Sequence, residues 1–147
     1  MQDRVIVLVE DNANDEELTL RAVRKSGIMN RVVVLRDGAE ALDYFFCRGA
    51  HDGRPASEVV QVVLLDLKLP KVDGLEVLKQ IKGDPRTRTI PVVVLTSSRE
   101  QQDVVESYKL GVNSYIVKPV NFERFVAAVQ ELGMYWLLLN QPPKVNA

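Results

Sequence analysis

Val60-Gln61-Val62-Val63-Leu64-Leu65-Asp66-Leu67-Lys68-Leu69-Pro70 is a run of strand-forming apolar residues that ends on a carboxylate and is stopped by a proline. A continuous apolar run of this kind predicts a strand covered on both faces, as in a parallel sheet, with Asp66 at its carboxyl end. Open α/β sheets bind their ligands at that edge. An ionised carboxylate beside a hydrophobic strand is costly to desolvate unless a cation or a set of hydrogen bonds compensates it. Fold and function both turn on what stands opposite Asp66.

The flanking sequence repeats a strand-then-helix unit. Residues 4–9 are a short apolar strand ended by Glu10-Asp11-Asn12; Asn14 or Asp15 is the expected cap of a helix that Ser26-Gly27 stops. Residues 31–35 form a second strand, and after Asp37-Gly38 the apolar residues Ala39, Leu42, Phe45 and Phe46 return at helical spacing. The polar, Gly- and Pro-bearing stretch 49–57 predicts a surface loop, the most flexible part of the chain. Beyond Pro70, Asp73-Gly74 turns into a helix carrying Leu75, Leu78 and Ile81, which ends near Asp84-Pro85. Residues 90–96 make a fourth strand with its proline at the start, where a missing donor is tolerated. Ser97 or Ser98 opens the fourth helix and Gly111 stops it; residues 113–117 form a fifth strand ended by Lys118-Pro119. Phe122, Phe125, Val126, Val129 and Leu132 share one stripe of a last helix beginning near Asn121.

Five strands alternating with five helices predict right-handed crossovers and a doubly wound α/β fold with helices on both faces of a parallel sheet. The expected strand order is the flavodoxin-like 2-1-3-4-5, which makes strands one and three neighbours at the switch point. Glu10, Asp11 and Asp66 then converge on one crevice, with Thr96 and Lys118 ending strands four and five on the same edge.

The chain's 147 residues suit one domain, taken as residues 1–140 with a loose tail at 141–147. Nineteen basic against 20 acidic residues give no overall positive field for nucleic acid or an anionic membrane. A single cysteine excludes an internal disulfide, and neither a charged leader nor an apolar run of about 20 residues is present, so a cytoplasmic setting is expected. Cys47 is expected to be a small buried residue rather than a nucleophile. His51, in the polar loop, is rejected as a phosphotransfer histidine. Lys82, Arg86 and Arg88 form a basic patch read as a solvated loop.

Clustered carboxylates raise one another's pKa unless a cation neutralises them. All the available ligands are hard oxygens, which favours Mg2+, with Mn2+ as the alternative, over zinc. Such a cation keeps water positions that a phosphoryl oxygen can take. In-line attack by Asp66 on phosphorus would form an acyl phosphate, the cation, the Lys118 ammonium and the Thr96 hydroxyl each taking one equatorial oxygen, helped by backbone N–H groups near Leu67 and Ser97.

These residues resemble the receiver domains of two-component response regulators, which accept a phosphoryl group from a sensor histidine kinase. The resemblance covers nearly the whole chain and rests on Glu10-Asp11, Asp66 with Pro70 and Asp73-Gly74, Thr96, and Lys118-Pro119. It implies Asp66 as phosphoacceptor, Asp11 as direct metal ligand, Glu10 acting through water, and Lys68 lending its backbone carbonyl to the metal. Lys68, by crowding the phosphoryl group, is expected to slow self-hydrolysis. Thr96 and Tyr115 fall where such receivers carry switch residues that remodel helix 4, strand 5 and helix 5. Residues 81–85, 90–98 and 111–120, together with Trp136, further resemble the stand-alone regulators of bacterial phytochrome kinases. That implies a light-sensing kinase as donor and a homodimer through helix 4, strand 5, helix 5 and the C-terminal helix, where apolar Met134 to Leu139 nearly encircle the helix end. No DNA-binding domain is expected to follow.

Taken singly, each residue has a plainer role: Asp66 a strand-end cap, Lys118 a surface charge, Thr96 a β-former. Three other functions are weaker matches. An aspartyl phosphatase wants a second acid where Lys68 stands, and Glu10-Asp11 would repel the phosphate of a flavin carrier. A phosphorylation-independent interaction module remains the alternative function.

Overall fold

The computed structural model describes residues 3–112 and 114–133. In chain order the elements are β1 (Asp3–Val9), α1 (Ala13–Lys25), β2 (Arg31–Leu35), α2 (Gly38–Phe45), a 3-10 turn at Gly49–His51, β3 (Glu58–Asp66), α3 (Gly74–Gly83), β4 (Val92–Thr96), α4 (Arg99–Ser107), β5 (Ser114–Val117) and α5 (Phe122–Glu131). The strands form one parallel sheet in the order β2-β1-β3-β4-β5. Along β1, pairing to β3 runs Val5 to Val60 and then Ile6 to Val62, so Gln61 is an extra residue that bulges the longer strand.

Alternation along the strands divides the core into two layers. Val5, Val7, Val9, Val63, Leu65 and Val94 face α2, α3 and α4, whose Leu42, Leu78, Ile81 and Val105 cover them. Ile6, Leu8, Leu64 and Leu95 face the opposite way, under Ala22 and Val23 of α1 and Phe125, Ala128 and Val129 of α5. Strands one, three and four are therefore apolar on both faces, as their continuous sequence runs require.

Two local expectations, the cap of the first helix and the burial of Cys47, are corrected. The first helix is capped by Asn12, whose side chain accepts from Asp15 N at 2.9 Å, not by Asn14 or Asp15. The cap therefore sits two residues before Asn14, and Asp15 lies in the first helical turn. Cys47 is exposed, because α2 ends at Phe45 and Cys47 adopts a left-handed φ of 53°. The 49–57 stretch is mostly exposed loop, as expected, and Arg54 within it donates to Tyr44 O at 3.0 Å and Glu58 O at 3.1 Å, with its guanidinium 4.4 Å from the Tyr44 ring centre. The basic patch is exposed at Arg86 and Arg88, as expected of a solvated loop, with Lys82 donating to Ile90 O at 2.8 Å and Arg86 pairing with Asp84 at 2.9 Å. Asn113 and the residues from Met134 onward, including Trp136, the apolar helix end, the boundary at 140 and the tail, lie outside the described residues. Among the described residues, no helix is long and apolar enough to cross a membrane.

Candidate functional site

The parallel order brings the carboxyl ends of β1, β3, β4 and β5 to one edge, and the site is built there. Asp66, the last residue of β3, is buried with 5% of its surface exposed. Glu10, just past β1, is fully buried and its backbone N–H donates to Leu35 O at 2.9 Å, while Asp11 beside it is exposed. Glu10, Asp11 and Asp66 each offer an oxygen, all within 4.8 Å of one another, an all-oxygen set suited to a hard divalent cation.

Lys118 reaches into this cluster from the end of β5, across a cis Lys118-Pro119 bond. Its ammonium donates to Asp66 Oδ2 at 2.9 Å and to Asp15 Oδ2 at 3.0 Å, and lies 3.0 Å from Glu10 Oε1. The contact with Glu10 is an ion pair without hydrogen-bond alignment, so that buried oxygen has charge compensation but no hydrogen bond. The other Glu10 oxygen accepts from Asn12 N at 3.2 Å. Burial first, and the neighbouring Asp66 second, push the Glu10 carboxyl up to about 8 despite Lys118. Burial acts to lower the Lys118 pKa, but Asp66, Asp15 and Glu10 outweigh it and hold the ammonium above its usual range. Burial thus favours the neutral form of Glu10, and the surrounding carboxyls favour the charged form of Lys118.

Thr96 ends β4, fully buried, with a hydroxyl that makes no hydrogen bond, and its carbonyl accepts from Lys118 N at 2.8 Å. Lys68 is exposed, and its backbone N–H donates to Asp66 Oδ1 at 3.2 Å. Tyr115 pairs with Val94 across the sheet and is half-buried on the side of α2, α3 and α4. Burial, with a smaller effect from Glu106 of α4, raises its phenol pKa. Glu10, Asp11, Asp66 and Lys118 are therefore brought together, Thr96 ends the adjacent strand, and Tyr115 stands apart from the acids, toward α4.

Two residues of this edge escaped the sequence reading. Asp15 holds Lys118, and the signal for it was an acid three residues after the Asn that caps α1. Gln101 accepts from Ser97 N at 2.7 Å, three residues after the α4 cap Ser98. Serine followed three residues on by glutamine is a capping signature that was there to read.

The model of the response regulator receiver domain matches residues 6–130. The chain belongs to that family. Response regulator Rcp1 of Synechocystis is 40% identical over 91% of this chain and 89% of its own length. The Mn2+-bound structure of Rcp1 superposes with a TM-score of 0.73, covering 97% of this chain and 96% of that one. The bacteriophytochrome response regulator AtBRR is 58% identical, with a TM-score of 0.86 over 95% of this chain and 99% of its own. FilR2 of Methanothrix harundinacea, named a probable methanogenesis regulatory protein, is 48% identical over 95% of this chain and 87% of its length.

Proposed function

We propose that this receiver takes a phosphoryl group from the phosphohistidine of a sensor kinase onto Asp66. One observation carries the proposal: a buried strand-end carboxylate sits 2.9 Å from a lysine ammonium and within 4.8 Å of two further acids. An oxygen of Asp66 attacks phosphorus in line, the P–N bond to the donor imidazole breaks, and the product is a mixed anhydride that water later hydrolyses. Lys118 transfers its hydrogen bond from the lost carboxylate oxygen to a phosphoryl oxygen. The unpartnered Thr96 hydroxyl donates to a second. Asp11, Glu10, Asp66 and the Lys68 carbonyl would hold Mg2+, or Mn2+ as in the Rcp1 structure. When bound, that cation neutralises the acids and the charge that builds on the phosphoryl group.

The donor we favour is a phytochrome-type kinase, supported by the likeness to AtBRR, and the setting is cytoplasmic. Output runs through protein contacts, including a homodimer through α4, β5 and α5. Tyr108 at 50% and Val117 at 38% exposure give that face an apolar surface beside the half-buried Tyr115.

The test is intact mass after incubation with Mg2+ and a small acyl phosphate donor. The parent protein gains about 80 Da, one phosphoryl group, and Asp66→Asn gains nothing. If neither gains mass while partners still bind, the protein is a phosphorylation-independent interaction module. Followed in time, the same samples give the acyl phosphate's lifetime, which Lys68→Asn shortens if the lysine shields it from water.

A further inference from the structure

The Ser97 amide directly follows Thr96, the last residue of β4, where backbone N–H groups are expected to help hold the phosphoryl oxygens. It already has a partner. The side-chain carbonyl of Gln101 accepts from it at 2.7 Å. In an ordinary capping box the third helical residue returns to the N–H of the cap residue itself. Here the cap is Ser98, whose hydroxyl accepts from Gln101 N at 3.3 Å, but the Gln101 side chain reaches one residue further back, to Ser97. The tie therefore joins the first turn of α4 to the end of β4, rather than closing the helix on itself.

We propose that Gln101 is a resting-state surrogate for the phosphoryl oxygen, occupying the Ser97 N–H until phosphorylation displaces it and releases the first turn of α4. The proposal rests on Asp66 being the phosphoacceptor. One N–H faces two acceptors, a neutral amide oxygen and an anionic phosphoryl oxygen. The anion is the stronger, so it wins once covalently held nearby. The displaced side chain has space beside it: Gln101 lines a groove of about 230 Å³ with Leu67, Lys68 and Leu75 on one wall and Val105 on the other. The groove lies between the loop after Asp66 and α4, so a change in the Gln101 rotamer is felt on the helix that carries Tyr108. Gln101 is a positioning residue: it touches the donor amide, not the reacting atoms.

Beryllofluoride with Mg2+, a phosphoryl mimic, tests this by titration monitored at the Ser97 amide in NMR spectra. Gln101→Ala removes the competing acceptor and tightens binding by about 2–10-fold, the range one net hydrogen bond covers. Gln101→Glu strengthens the competitor and weakens binding by a similar factor. Gln102→Glu, whose position pairs with Glu106 instead, adds the same charge one residue away and stays within about twofold of the parent. That pattern supports the surrogate role. If Gln101→Glu binds like the parent, Gln101 is only a helix cap, because glutamate serves a capping box as well as glutamine. Equal weakening by both glutamate variants makes the effect one of charge and also overturns the proposal. A parent protein that binds no beryllofluoride at all overturns the phosphoacceptor reading and this proposal with it. Urea midpoints of each variant separate these outcomes from loss of fold.

Discussion

Lys118 makes ion pairs with Glu10, Asp15 and Asp66, and so partly offsets the crowding of carboxylates at this edge. Glu10 is fully buried, and one of its oxygens has no aligned hydrogen-bond donor. Its carboxyl lies near 8 in the folded protein against an ordinary 4.5. Between those values the folded protein keeps a proton that the unfolded chain has released. The stabilising contribution is therefore complete below about 4.5 and lost as pH rises towards about 8. Urea midpoints of the metal-free protein should fall across that window more steeply than those of Glu10→Gln. Mg2+ displaces the same proton, so its affinity should rise over that window in the parent and stay flatter in the variant. Asp66 and Lys118 were legible in the sequence because each closes an apolar run whose direction is unambiguous. Asp15 was not, because its role depends on where α1 begins. With the cap at Asn12, its backbone N–H serves the cap and its carboxylate is left for Lys118.

The elements hold these residues by close backbone approach as much as by side chains. α3 begins directly against the end of β3: Gly74 N donates to Leu67 O at 3.0 Å, and a Cβ at Gly74 would stand 2.3 Å from Asp66 O and 2.6 Å from Leu67 Cα. Both clashes are with backbone, so neither can be relieved by a rotamer change. Gly74→Ala should therefore cost about 2–4 kcal/mol in urea unfolding, more than ordinary overpacking, and should also weaken Mg2+ binding by moving Asp66. An alanine at wild-type stability would mean that the loop after Asp66 yields freely. The turn at Asp73-Gly74 was visible in the sequence as turn chemistry, but its packing against Asp66 was not, since that contact exists only once strand and helix are docked. The α4 start was legible to within one residue. The long reach of Gln101 to Ser97 needed the actual path of the chain between β4 and α4.

At the scale of the molecule, continuous apolar runs alternating with segments of helical spacing sufficed for the sheet order, whereas which helices share a face emerges only in the packed structure. The pairing of surfaces between copies has no such periodic signature. If α4, β5 and α5 form a dimer face, Tyr108→Asp should leave the protein monomeric by light scattering while phosphorylation proceeds at the parent's rate. A dimer that survives the substitution would move the interface elsewhere. The central claim is that Asp66 itself carries the phosphoryl group, and reductive trapping reads it most directly. Borohydride converts an aspartyl phosphate to homoserine, so protein phosphorylated with a small donor and Mg2+, then reduced and digested, should show homoserine at position 66 alone. Homoserine at position 11, or at no position in protein that has gained the mass of a phosphoryl group, would contradict the account.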